Sequence, residues 1–314
     1  MPAISLVVCL YKERALLKRL LENAAGCYDD LVVIHDGVET GDSGNLAPPL
    51  GLDFSLLALT NPLPQGYRVP ALPAKPDSLH ELVLRHGGRF YEGPRAFQQE
   101  PHWPFAWQMA KHHWILRLDA DEFPSEELTT WLKNFRHLPE PDSSISGYTC
   151  IWPLWDGKRA VTKSWPTGRL FLFNRDRIRF FGMVEQTPIP DADWIPLHFI
   201  LHHEPIRKSY GIRNILFRKQ AYNWRTVIAK SLIDSPNKLP CWRWNSADWP
   251  SSWSSIQDRP LHHSLRSLLK YPLYQLRDII AARELPRLSA CLQPGLHHFM
   301  LGIRIWMEKR RIKK

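Results

Sequence analysis

Trp114-Ile115-Leu116-Arg117-Leu118-Asp119-Ala120-Asp121-Glu122 is an apolar run of strand length that ends in three carboxylates within four residues. Phe123-Pro124-Ser125 follows, and Pro124 cannot continue a central strand because proline has no donor for the ladder. Residues i and i+2 of a strand share a face. Asp119 and Asp121 are therefore expected to point the same way at the strand's carboxyl end, where open α/β sheets bind ligands. Two neighbouring carboxylates repel unless a cation sits between them. Hard divalent cations such as Mg²⁺ take one or two carboxylates together with substrate phosphate oxygens. The stretch thus fits a metal–diphosphate site. It also fits an acidic turn after a strand, with Ser125 capping the next helix, because Asp-x-Asp is a short motif.

Working outward, Ile4–Leu10 is a continuous apolar run with β-branched residues, which predicts a buried strand. Leu16, Leu17, Leu20, Leu21 and Ala24 then recur at helical spacing, with Gly26 as the expected cap. Leu31–His35 reads as a second strand, ending at Asp36-Gly37. A strand, a helix and a strand in this space make a βαβ unit and hence a parallel sheet. Residues 38–76 are rich in Pro and Gly and lack periodicity, so a long functional or mobile loop is expected. Asp77-Ser78 starts a helix that Gly87-Gly88 ends, Arg89–Glu92 is a short strand, and Pro101–Lys111 is an aromatic helix. Arg117 is unusual in a strand buried on both faces. It lies two residues before Asp119 and is expected to be that carboxylate's partner.

Downstream, Ser125–Phe135 is expected to be a helix. Ser146–Pro153, Gly168–Phe173 and Leu197–His203 are expected strands. A basic helix is expected roughly from Ser209 to Leu232. Residues 234–260 form a Trp-rich irregular loop, and Leu261–Ile312 is helical with breaks near Pro286 and Pro294.

The chain has 314 residues, of which 44% are hydrophobic, enough for one large domain or a domain with an appendage. No apolar stretch approaches the roughly 18 residues that read as a membrane span. The N-terminus shows no basic segment or cleavage site, so no secretory signal is expected. Five scattered cysteines without ligand spacing suit a reducing cytoplasm. The formal net charge is +10. From Pro205 to Ile233 there are seven Lys or Arg and no acid, and Arg304, Lys309, Arg310, Arg311, Lys313 and Lys314 face only Glu308 in the tail. Such bias points to phosphates, an anionic membrane surface or nucleic acid, or to a solvated face.

Three pieces line up: Ile4–Leu10 with its helix, Leu31–Gly37, and Trp114–Glu122. Together they resemble family 2 glycosyltransferases of the glycosyltransferase A fold, and among these the bacterial lipopolysaccharide-core and capsule sugar transferases. Leu118-Asp119-Ala120-Asp121-Glu122 matches the family motif letter for letter. Arg169-Leu170-Phe171, Gly182 to Glu185, and His202 resemble later motifs of the family, so the match covers roughly residues 3–225. Lys12-Glu13 stands where the family has Asn-Glu, Val184 stands where it has His, and the turn after Asp36-Gly37 is interrupted by the insert.

The resemblance implies an α/β fold with a mostly parallel nucleotide-binding sheet flanked by helices and a helical C-terminal extension. It implies a catalytic domain over residues 1–233, with a nucleotide-sugar half at 1–125 and an acceptor half at 126–233. Residues 234–314 would form the Trp-rich loop and basic helical extension. The implied activity is a metal-dependent, inverting transfer from a nucleotide-diphosphate sugar to a glycan or lipid-linked acceptor in cell-surface polysaccharide synthesis, with Mg²⁺ or Mn²⁺. The expected location is the cytoplasm, peripheral on the inner face of the plasma membrane. In the implied site Asp36, Asp119 and Arg169 bind the donor, Asp121, Asp119 and His202 hold the metal, and Glu185 is the catalytic base.

Each role has a plainer counterpart. Asp36 also fits a turn before glycine. Arg169 either meets the leaving phosphates or pairs with a carboxylate. Glu122 supports the site from behind or serves as a helix N-terminal charge. Glu185 also fits a surface ion pair, and His202 and His203 a hydrogen-bonded structural role. Trp103, Trp107 and the Trp242–Trp253 group stack on sugars or pack internally. Leu265, Leu268, Leu269, Leu273 and Leu276, beside Arg266, Lys270 and Arg277, lie on an anionic membrane or pack on the catalytic domain. The competing class is a nucleic-acid-binding or membrane-surface scaffold protein without catalysis. For nucleic acid only the charge speaks, since no helix-turn-helix, zinc-finger or ribonucleoprotein signature is legible.

Overall fold

The computed structural model describes residues 1–39, 66–72, 74–96, 98–155, 158–183, 186–205, 216, 225–226, 228–230, 232–233, 240–244, 251–285 and 288–312. The chain divides into two compact units. One comprises Met1–Ile151, Thr167–His202 and Lys238–Trp244, the other Trp152–Pro166, His203–Asn237 and Asn245–Lys314.

The first unit begins with β1 (Ile4–Leu10), α1 (Arg14–Asn23) and β2 (Asp30–Asp36). After the insert come α2 (Leu79–Arg85), β3 (Arg89–Gly93), α3 (Trp103–Met109) and β4 (Trp114–Arg117). Then follow β5 (Glu122–Pro124), α4 (Glu126–Phe135), β6 (Ile145–Ile151), β7 (Thr167–Asn174), β8 (Ile178–Arg179), β9 (Ile189–Pro190) and β10 (Asp193–His203). Eight strands form one sheet in the order β3-β2-β1-β4-β7-β6-β10-β5, and β8 pairs with β9 separately. β3, β2, β1 and β4 run parallel, and β6 and β10 run parallel to each other. β7 is antiparallel to both β4 and β6 and joins the two parallel groups. The expected α/β class, a mostly parallel sheet flanked by helices with a helical C-terminal region, is the observed one.

The physical reasons are local. All seven residues of β1 and of β2 are buried, as strands covered on both faces must be. Leu17, Leu20 and Leu21 form the buried stripe of α1. Gly26 does not itself cap α1. The cap is Ala24, and Gly26 takes the left-handed turn that follows, at φ 78°. Ser78 caps α2 by accepting from the Glu81 N–H at 3.0 Å, and Ser125 caps α4 by accepting from the Leu128 N–H at 3.2 Å. Buried Ser5 donates to Asp30 at 2.8 Å, and Arg89 pairs with the same carboxylate at 2.8 Å, which ties the starts of β1, β2 and β3 together. Pro124 is tolerated because β5 takes the outermost place in the sheet order.

Several expectations are corrected. β10 starts at Asp193, before the apolar run, because Asp193, Trp194, Ile195 and Pro196 already pair with β6. The Trp-rich stretch is not irregular throughout, since α5 spans Ser251–Asp258 and buries Trp253 and Ile256 three residues apart. Most of the expected basic helix at 209–232 lies outside the described residues.

In the second unit α6 (Pro260–Ala282) and α7 (Leu288–Ile312) pack as a pair. The expected break before Pro286 is present, with Arg283 in the left-handed region as the cap of α6. The expected break at Pro294 is absent, and α7 continues through it. Packing outweighs the lost backbone bond there, because Gly295 and Gly302 let α7 lie against α6. A Cβ added at Gly302 would sit 2.2 Å from Ser264 Oγ and 2.5 Å from the Pro260 carbonyl oxygen. The Ser264 hydroxyl shares its one proton between the Pro260 carbonyl at 2.9 Å and the Phe299 carbonyl at 3.0 Å. Among the described residues no helix is long and apolar enough to cross a membrane. Gly302→Ala is expected to force this helix pair apart and destabilise it by about 1–3 kcal/mol, the usual cost of overpacking, read as a lower melting temperature by circular dichroism.

Candidate functional site

Strand order places the site. β1 leads through α1 to β2 on one side, while β4 pairs on the other side of β1. The order of the chain reverses there, and ligands of open α/β sheets bind outside the carboxyl ends of the strands at such a reversal. Asp36 ends β2 and Asp119 lies just past β4. Between them buried Cys9, near the end of β1, has its thiol pushed well up, first by burial and then by the charges of Asp119, Asp36 and Glu100.

The acidic turn is tightly built. The Glu122 N–H donates to the Asp119 carbonyl at 3.0 Å, and the Asp119 N–H donates back to Glu122 Oε2 at 2.9 Å. Glu122 is fully buried at the start of β5. It is therefore not a helix N-terminal charge. Glu126 and Glu127 hold that place on α4. Arg169 of β7 reaches the turn with Nη2 2.7 Å from Glu122 Oε1 and 3.0 Å from Asp119 Oδ2. Burial opposes its charge, but Glu122 and Asp119 outweigh burial and raise its pKa. Gln99 Nε2 donates to the same Asp119 oxygen at 3.0 Å. Asp121 is partly exposed.

Arg117 is not the hydrogen-bonded partner of Asp119. Its Nη2 donates to the Leu170 carbonyl at 3.0 Å and its guanidinium lies 4.3 Å from the Trp103 ring. Among the described residues its Nε and Nη1 meet no hydrogen-bond acceptor. Burial, and then the like charge of Arg169, push its pKa down to about 10, against the pull of Asp119, Glu122 and Glu100. Its influence on the carboxylates is that of a nearby buried charge.

Asp36 is engaged on both oxygens. Oδ1 accepts from the Ala96 N–H at 2.5 Å and lies 3.1 Å from His102 Nε2, while Oδ2 pairs with Arg95. His102 is fully buried, and its Nδ1 is 3.0 Å from the Tyr67 hydroxyl. Gln99, Arg95, His102 and Tyr67 were not singled out in the sequence. Gln99, Arg95 and His102 lie just N-terminal to α3, where an aromatic-rich run draws attention to packing and away from polar contacts.

His202 stands exposed at the end of β10. His203 stacks on Trp152 at 4.3 Å. Among the described residues no group of three or more His, Cys, Asp or Glu side chains is arranged to hold a metal ion. Trp103 and Trp107 are buried in the core, and Trp242 packs against that core and donates from Nε1 to the Arg175 carbonyl at 2.8 Å. These tryptophans pack internally. Glu185 lies outside the described residues.

No family model and no curated protein matches the chain. Among solved structures it is similar to S. aureus TarS, with a TM-score of 0.34 and 10% identity over 96% of this chain and 54% of that one. The chain thus spans about half the length of that protein. It is also similar to residues 1–349 of S. aureus TarS, with a TM-score of 0.33 and 12% identity over 99% of this chain and 92% of that one. Likeness at this level carries no argument about activity.

The Arg169–Glu122 pair makes a testable demand. Arg169→Met leaves Glu122 buried without its cation and is expected to destabilise the fold by about 3–5 kcal/mol. The double variant Arg169→Met/Glu122→Gln is expected to recover much of that loss, because no charge is then stranded. Urea unfolding of the two single variants and the double variant checks this.

Proposed function

We propose that the chain transfers a sugar from a nucleotide-diphosphate sugar to a hydroxyl of a glycan or lipid-linked acceptor. The observation that supports this most is the Asp119–Glu122 turn, set at the carboxyl end of β4 beside the reversal in strand order and held there by Arg169. The donor set suits a hard divalent cation, Mg²⁺ or Mn²⁺. Asp119 and Asp121 would supply the carboxylate oxygens from one turn, as such a cation takes one or two carboxylates beside substrate phosphates. The chemistry such a cation supplies when bound is neutralisation of charge on the departing diphosphate.

The chain's own residues divide the remaining work. Glu122 and Arg169 fix the direction of Asp119. Gln99 bonds the same oxygen from the α3 side. Asp36, engaged by Arg95 and His102, serves this reading by fixing the floor of the donor site. Glu185 is the proposed base, an assignment that rests on the sequence motif. It takes the proton of the acceptor hydroxyl while that oxygen bonds to the anomeric carbon and the bond to the diphosphate breaks. This order gives inversion at the anomeric carbon.

Thermal-shift measurements with nucleotides and nucleotide sugars, with and without Mn²⁺, test the donor site. A ligand at one hundred times its dissociation constant is expected to stabilise the fold by about 2.7 kcal/mol. Asp121→Asn is expected to abolish the Mn²⁺-dependent part of that shift, and an unchanged shift would refute the site. Glu185→Gln is expected to lower kcat by roughly 10² to 10⁴ with donor affinity unchanged, read by calorimetry beside turnover. If affinity falls as far as kcat, the carboxylate belongs to the donor site.

A further inference from the structure

Helix α6 carries three distinct faces. Pro260, Ser264 and Ser267 form a buried face of small residues. At about 100° per residue, Leu265, Leu268, Leu269, Leu273, Leu276 and Ile280 gather on a second face. These side chains are exposed, Leu265 by 65%, Leu269 by 72%, Leu273 by 63% and Ile280 by 69%. Arg266, Lys270 and Arg277, also exposed, follow along one edge of that apolar stripe. The arrangement inverts an ordinary surface helix, which turns its leucines inward. Folded proteins rarely leave so continuous an apolar patch open to water.

We propose that this face of α6 docks on an anionic lipid surface, with the helix lying in the plane of the interface. Charge selects this occupant. The basic row beside the leucines would sit at the level of acidic headgroups while the leucines enter the acyl boundary. Tyr274 stands among these cations, 5.2 Å from Lys270 Nζ and 5.5 Å from the Arg277 guanidinium. Aromatic side chains with one polar end favour that depth. The single acid of the helix, Asp278, is paired with its neighbour Arg277 at 2.9 Å, which leaves Arg266 and Lys270 as the principal cations. A second copy of the chain fits less well, because it brings another +10 net charge to the same face. Nucleic acid would engage the cations and leave the leucines wet. The inference stands on α6 alone and does not depend on sugar transfer.

Co-sedimentation of the full chain with two kinds of vesicle tests it, one of phosphatidylcholine and one of phosphatidylcholine with phosphatidylglycerol. Binding is expected to the anionic vesicles only and to weaken as salt is raised. Lys270→Gln and Arg266→Gln are each expected to weaken it about fivefold. Leu269→Ser with Leu273→Ser is expected to abolish binding while circular dichroism and the melting temperature stay unchanged, since both side chains are already exposed. The proposal is overturned by absent binding to anionic vesicles, by equal binding to neutral ones, or by unchanged binding of the leucine variant. It is also overturned if light scattering shows a dimer that this variant dissolves, for then a second copy covers the face.

Discussion

Arg169 approaches the acidic turn from the one strand of the central sheet shown to run against its neighbours, and one nitrogen meets both Glu122 and Asp119. Without Arg169, Glu122 would be a fully buried charge that has lost its ion-pair partner, a state that costs several kcal/mol. With it, the turn after β4 becomes a fixed object. Glu122 accepts the Asp119 N–H, the Asp119 carbonyl accepts the Glu122 N–H, and Arg169 and Gln99 both hold the Asp119 carboxylate by Oδ2. The buried Arg117 behind the turn adds positive charge without adding a bond to it. Two guanidiniums, the buried Arg117 and the half-buried Arg169, thus stand beside a turn that carries three acids within four residues.

The end of β2 is fixed by a separate set of contacts. Asp36 gathers Arg95, the Ala96 N–H and His102, and His102 in turn meets Tyr67. The segment after β3 is thereby tied to the end of β2, close to where Gln99 reaches Asp119. Both edges of the β2-β1-β4 crevice are thus held by side chains from the stretch just before α3. A ligand entering there meets a surface whose polar groups are already oriented, the condition under which electrostatic contacts favour binding most.

The parallel half of the sheet was legible in the sequence because its strands are buried on both faces and read as unbroken apolar runs. Ile4–Leu10, Leu31–His35 and Trp114–Leu118 are the clearest cases, and the Ser78 and Ser125 caps followed from the same reading. β10 was only partly legible, because Pro196 interrupts its apolar run and the pairing of Asp193–Pro196 with β6 is a tertiary fact. The path of α7 through Pro294 was hidden for another reason. A proline's local penalty is visible in a sequence, whereas the close approach of Gly302 to Ser264 that offsets it is a fact of packing. At the site, Asp119, Asp121 and Arg169 stood out as motif letters. Gln99, Arg95 and His102 carry no pattern of their own, and Arg117 bonds the Leu170 carbonyl and acts on Asp119 only as a nearby charge, because strand periodicity gives a face but not a bond.

The place of β7 has a consequence for how the chain comes off the ribosome. Residues up to Arg117 contain all of β3-β2-β1-β4, the four-stranded parallel group. That group ends in Trp114–Arg117, whose outer edge is paired only when Thr167–Asn174 arrives. At roughly 5–20 residues per second the interval lasts on the order of several seconds. Through it a buried-type strand of Trp, Ile and Leu presents unpaired amides and carbonyls, the condition that invites edge-to-edge association. Synthesis slowed between residues 118 and 167 lengthens that exposure, and a truncated product ending there retains it permanently. The strand that later positions Arg169 is thus also the one that closes the nascent sheet.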